Sequence, residues 1–223
     1  MGVVSGVEII NLFPTPVLRV ALGAPSAAEA AHLEAAGSEH VRNIGNTTSR
    51  RRRLLHDQPM ADLRSRIDGA LAAYVANVIA PARETRLKVT QAWLNTTTQG
   101  QFHHRHAHPG SLVSGVYYLE ACESDRIMFF RSGYQRIKFP QGSFNPYNSE
   151  SWWIPVSAGD LILFPSELEH HVPTLETDTR RVSLAFNTWF DGECGSEDDL
   201  THLSVRLSEP YCESGEDTGS SVR

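Results

Sequence analysis

Cysteine is scarce in this sequence. Cys122, Cys194 and Cys212 are odd in number, far apart and form no C-x-x-C pair. That argues against a disulfide framework or a thiolate zinc knuckle and fits a reducing, cytoplasmic compartment. Long apolar runs are missing too, so no segment reaches membrane-spanning length and no membrane association is expected. The start, MGVVSGVEII, has neither the basic n-region nor the long apolar h-region of a secretory signal. An excess of positive charge is also absent. The net charge is −6, and from Asp191 onward nine acids face two basic residues, which leaves the remainder near +1. No electrostatic footprint for nucleic acid follows from that balance. The run Arg50-Arg51-Arg52-Arg53 is the exception. It reads as a solvated loop or helix approach, with an anion or partner contact as the functional alternative.

What remains is an ordinary globular composition, 40% hydrophobic and 21% charged over 223 residues, enough for one domain with its own core. A single domain is expected over 1–206, with helical support over 21–81, a β core over 88–190 and an acidic, disordered tail over 207–223. Residues 7–20 read as extended, interrupted by Pro14 and Pro16. A helix is expected over 26–37 with Ser26 as N-cap. A second is expected over 59–79, where Met60, Leu63, Ile67, Leu71, Tyr74, Val75 and Val78 fall on one face. From residue 88 the chain turns into short β-like runs separated by Gly, Pro, Ser and Asn. Such a pattern suggests a sandwich or barrel with the helices on one face. The stretch 131–153 is longer than an ordinary connection and reads as a lid or substrate wall. Its Arg131, Arg136 and Lys138 suit an anionic or amino-acid-like small molecule. Tyr134, Trp152 and Trp153 lie in it as well, the two tryptophans read as core or rim aromatics.

The histidines are concentrated. Four of the ten lie in GQFHHRHAHPG, and His170-His171 follow a strongly apolar run, DLILF. Strand alternation puts His104, His106 and His108 on one face and His103 on the other. Two imidazoles two residues apart, with a third from a distant strand, make a facial set for one metal ion with open positions for substrate and O2. In RRVSLAFN, alternation separates an apolar face (Val182, Leu184, Phe186) from Arg181, Ser183, Ala185 and Asn187. A buried guanidinium needs an anion. That anion is either a carboxylate end of a small dicarboxylic acid, clamped with Ser183, or a protein Asp or Glu.

These three stretches, GQFHHRHAHPGSLVSGVYYL, WIPVSAGDLILFPSELEHHV and RVSLAFN, together resemble the Fe(II)/2-oxoglutarate-dependent oxygenases. The nearest resemblance is to a bacterial and phage group with a prolyl-hydroxylase-like core. It spans about Ala92 to Phe190, and the N-terminal FPTPVL also fits. The resemblance implies a mainly β fold, a double-stranded β-helix or jelly roll. It implies Fe(II) held by His106, His108 and His170, with His108 where the family has Asp or Glu. A different strand register would substitute His104 for His108, or His171 for His170. It implies 2-oxoglutarate held through its far carboxylate by Arg181 and Ser183, with help from Tyr118. O2 and 2-oxoglutarate are then consumed to hydroxylate a small-molecule substrate, releasing succinate and CO2. A cupin-type three-His metal protein that does not use 2-oxoglutarate is the alternative. Gly100 followed by His106-Ala107-His108, and Pro165 followed by His170, resemble the two cupin motifs. Leu112 and Val113 stand where the cupin Glu belongs, and Glu167 stands in place of the usual Gly of the second cupin motif. Self-association into a homo-oligomer is left open.

Overall fold

The computed structural model describes residues 6–133 and 140–208. Its order is β1 (Leu18–Ala21), α1 (Ala27–Ser38), β2 (His40–Arg42), β3 (Thr47–Ser49), α2 (Ala61–Tyr74), β4 (Thr85–Thr97), β5 (His103–His106), β6 (Val113–Glu120), β7 (Arg126–Phe130), β8 (Ser151–Pro155), β9 (Asp160–Pro165), β10 (His170–Val172), β11 (Arg181–Cys194) and β12 (Leu203–Val205). The strands form two antiparallel sheets. The larger runs β1-β9-β6-β11-β4-β3-β2 with β12 on β11, and the smaller runs β5-β10-β7-β8. From β4 to β11 consecutive strands alternate between the sheets except at the β7–β8 hairpin, which stays within the smaller one, and this is the double-stranded β-helix expected above.

The two helices cover the outer face of the large sheet. Ser26 caps α1: its hydroxyl accepts from the Glu29 N–H, and the Glu29 carboxylate accepts from the Ser26 N–H at 2.6 Å. The same buried carboxylate accepts from the Leu63 N–H at the start of α2, also at 2.6 Å, and pairs with Arg66. One acid thereby ties the N-termini of both helices together. Leu63, Ile67, Ala70, Leu71 and Tyr74 of α2 are buried with Leu94, Tyr117, Leu161, Leu163, Leu184 and Phe186 of the sheet. At about 1.5–3 kcal/mol for each fully buried large aliphatic, this face fixes the helix. The helical path extends through a π-helical turn, Val75–Ile79, and stops at Ala80 in left-handed conformation (φ 45°), one residue before Pro81.

A second apolar cluster, Tyr118, Ile127, Phe129, Val156, Ile162 and Phe164, lies between the sheets. On β11, Val182, Leu184 and Phe186 join the helix-side core while Arg181, Ser183 and Ala185 are buried outside it, as alternation requires. Gly115 sits directly opposite Phe186 in the β6–β11 register. A Cβ there would land within the Phe186 ring, so only glycine admits this phenylalanine.

Several expectations change. Of 7–20 only Leu18–Ala21 is a strand, and the residues described before it are mostly exposed. The stretch 131–153 is not wholly a connection, because its end starts β8, paired with β7 from Phe130↔Ser151 to Arg126↔Pro155. Tyr134, Arg136 and Lys138 lie outside the described residues, as does the tail from 209. The arginine run is largely paired within the protein: Arg51 with Asp57 at 2.6 Å, and Arg52 with Thr48 Oγ1 at 2.7 Å. Among the described residues no helix is long and apolar enough to cross a membrane.

Candidate metal centre

β5 and β10 meet at the open end of the small sheet. His106 closes β5 and pairs with His170, which begins β10. His108 lies just beyond the strand, where its backbone N–H donates to the Ser166 carbonyl at 2.9 Å. Ser166 is held in turn by Ser111 and Ser114, each 2.8 Å away, and Ser114 donates to Asn187 Oδ1 at 2.8 Å. This buried hydroxyl chain fixes the turn that carries His108.

The metal-binding atoms of His106, His108 and His170 all lie within 4.8 Å of one another. Ring centroids are 4.8 Å apart for 106–108, 4.4 Å for 106–170 and 5.2 Å for 108–170. His106 Nδ1 faces the His104 carbonyl at 2.8 Å, and His170 Nδ1 faces the Leu168 carbonyl at 3.0 Å. A carbonyl can only accept, so each Nδ1 carries the proton and each Nε2 presents a lone pair. Phe164 packs against His170 at 4.6 Å, and Trp93 lies 5.9 Å from His108. Burial, reinforced by the neighbouring imidazoles, pushes His108 down to about 4 and His170 down to about 3. Burial also lowers His106. All three are therefore neutral near pH 7, the form that binds metal. The donor set fits a divalent transition metal.

Strict alternation does not describe β5. His106 pairs with His170 but His103 pairs with Val172, so three steps on β5 oppose two on β10. The extra residue is a β-bulge. It returns His103 to the side of His106, where their rings stack at 4.7 Å, rather than to the opposite face. His171 faces outward, against Met128 and Phe130, which leaves the inward position to His170.

Farther into the barrel, Arg181, Ser183 and Tyr118 come together. Ser183 and Tyr118 are register partners, and all three are buried. The Tyr118 hydroxyl has no hydrogen-bond partner, and burial pushes its pKa up. Tyr118 shares its cluster with Phe129 and Phe164, both of which touch His170. A chain of packed side chains therefore runs from His170 through Phe129 and Phe164 to Tyr118. The sequence reading did not single out Asp125. Its Oδ1 accepts from Arg181 Nε at 2.9 Å and also from Nη2, while Nη1 donates to the Pro173 carbonyl at 3.2 Å. Three of the five guanidinium hydrogens are thus used within the protein, leaving one on each terminal nitrogen. Those two hydrogens and the unpaired Tyr118 hydroxyl are donors that could serve a small carboxylate. Nothing in the spacing of Asp125 marked it, as it is one acid in the short β6–β7 turn.

Trp152 shares the inner face of the small sheet with Phe129, its register partner. It is 42% exposed, so it belongs to the rim and not the core. Trp153 points outward beneath Arg126. Arg131 is exposed and donates to the Pro146 carbonyl at 2.7 Å.

Residues 91–187 match the family model described as "Putative 2OG-Fe(II) oxygenase". None of the curated proteins matches the chain. Among solved structures, the epimerase SnoN from nogalamycin biosynthesis, in complex with Fe3+, alpha ketoglutarate and nogalamycin RO, aligns with a TM-score of 0.55 at 16% identity, covering 92% of each chain. HygX from Streptomyces hygroscopicus, with nickel and 2-oxoglutarate bound, aligns at 0.53 and 16%, covering 78% of this chain and 82% of that one. A Pseudomonas putida prolyl-4-hydroxylase aligns at 0.52 and 16%, covering 78% and 92%. At these identities the likeness concerns the fold.

Proposed function

We propose that this chain, whose residues 91–187 match the model of the 2OG-Fe(II) oxygenases, oxidises a small molecule, with hydroxylation as the outcome. The cosubstrates are O2 and 2-oxoglutarate, and the co-products are succinate and CO2. One oxygen atom of O2 goes to the substrate and the other to succinate. The observation that carries the reading is the triad His106, His108, His170, packed through Phe129 and Phe164 against Tyr118, beside the buried Arg181 and Ser183.

Iron(II), which Nε2 of His106 and His170 and a ring nitrogen of His108 would hold, would supply the redox chemistry that couples decarboxylation of 2-oxoglutarate to oxidation of a C–H bond. The remaining work belongs to the chain. Arg181 offers its two remaining terminal N–H groups, and Tyr118 its hydroxyl, to the far carboxylate of 2-oxoglutarate. Asp125 holds the guanidinium plane in place and compensates its charge before the cosubstrate arrives. Phe129 and Phe164, packed between His170 and Tyr118, keep this part of the interior dry. Trp152, half-exposed on the inner face of β8, forms part of the substrate wall. His108 replaces a carboxylate with a neutral imidazole, so the metal keeps its full double charge and attracts anionic ligands more strongly. The solved neighbours include an epimerase and a prolyl-4-hydroxylase; hydroxylation is the simplest outcome of this chemistry.

Anaerobic addition of Fe(II) and 2-oxoglutarate tests the reading. A weak visible metal-to-ligand charge-transfer band is expected, and it should vanish in Arg181→Ala. Iron bound without any such band would refute the proposal and favour a metal protein independent of 2-oxoglutarate.

A further inference from the structure

The bulge in β5 gathers more imidazoles than one metal ion needs. The ligand atoms of His103, His104 and His106 also lie within 4.8 Å of one another. Their ring centroids are separated by 4.7 Å (103–106), 4.6 Å (104–106) and 5.3 Å (103–104). His104 Nδ1 is buried and has no hydrogen-bond partner, a state that costs free energy unless some ligand satisfies it. Arg105, between them in sequence, turns away from this group. Its guanidinium lies 3.9 Å from the Phe130 ring centroid and pairs with Glu169, so this cation does not compete for the three rings.

We propose that His103, His104 and His106 form a second position for a divalent transition-metal ion, one that shares His106 with the first. The chemistry of three imidazoles suits zinc, nickel, cobalt or ferrous iron alike. Because His106 Nδ1 is committed to the His104 carbonyl, His106 has only its Nε2 lone pair to give. One ion therefore occupies the inner or the outer position, and the two are mutually exclusive. An ion in the outer position withdraws His106 from the inner triad, so zinc bound there switches the inner centre off.

The test uses Zn(II) and the full chain, with bound metal measured by competition against a chromophoric chelator. Wild type should bind roughly one equivalent. The double variant His108→Ala/His170→Ala should still bind one equivalent, and adding His103→Ala and His104→Ala should abolish it. Loss of all zinc from the double variant, with a native circular dichroism spectrum, would overturn the proposal. The milder His170→Gln, with zinc located by anomalous scattering from crystals, covers the case in which the double variant does not fold. A zinc peak at His103, His104 and His106 supports the outer position, and a peak confined to His106 and His108 refutes it. The charge-transfer test on wild type reports on the oxygenase reading alone, so the two ideas fail separately.

Discussion

Arg181 and Asp125 face each other inside the barrel, Nε to Oδ1 at 2.9 Å, with both side chains almost wholly buried. Desolvating two charges this way is tolerable only while both are present. Asp125→Ala leaves an uncompensated guanidinium, and a loss of about 3–5 kcal/mol is expected in urea unfolding. A ligand that brings its own carboxylate should restore part of it. The thermal shift produced by saturating 2-oxoglutarate is therefore expected to be larger in Asp125→Ala than in wild type. An equal or smaller shift would show that the cosubstrate does not reach Arg181.

The pH dependence of metal-free stability should have two windows. Burial depresses His170 to about 3 and His108 to about 4. The unfolded chain takes up these protons near 6.5 while the native state refuses them, so stability falls as pH drops from about 6.5 toward 3–4. Asp125 is depressed too: burial raises it, but Arg181 and the Cys122 N–H outweigh that. Its contribution is present above 3.8, the ordinary value, and is lost as pH falls through its lower native value. Urea midpoints measured across pH should show both losses, and Asp125→Asn should remove only the acidic one. Saturating metal should hold off the upper window, since the ion competes with protons for the same lone pairs.

Restoring a carboxylate next to the metal should weaken anionic ligands. In His108→Asp the net charge of the loaded centre falls by one. The dissociation constant for 2-oxoglutarate, followed through the charge-transfer band, is expected to rise about tenfold, or roughly 1.4 kcal/mol. Tighter binding would mean that His108 does not face the ion.

Gly115→Ala should destabilise without touching the site. The new methyl would occupy the space of the Phe186 ring, and overpacking of this kind costs roughly 1–3 kcal/mol. The companion change Phe186→Leu should recover part of the loss in the double variant, read as a coupling energy.

Much of this architecture was legible in the chain because period and spacing carry it. Alternation on β11 correctly placed Arg181 and Ser183 inside and Val182, Leu184 and Phe186 under the helices. The pairing of His106 with His170 followed from an H-x-H and a histidine after a buried run. What escaped depends on partners distant in sequence. The bulge that realigns His103 exists only against β10. Asp125 acquires meaning only when Arg181 arrives, 56 residues later in the chain. Strand β8 was hidden because SWWIP has no clean alternation and follows a polar stretch. Strands β2, β3 and β12 have three residues each, too short for a periodic signal.

The extra residue between His103 and His106 makes length, and not only identity, a heritable determinant of this centre. A substitution at Arg105 alters one outward-facing side chain, whereas deletion of its codon would restore regular alternation, keeping His103 on the side of His106 and turning His104 to the other face. Sequences that keep all six of these histidines but differ by one in the count between them would therefore present a different set of ligands. Insertions and deletions within GQFHHRHAH should be rarer among working relatives of this chain than exchanges at its outward positions.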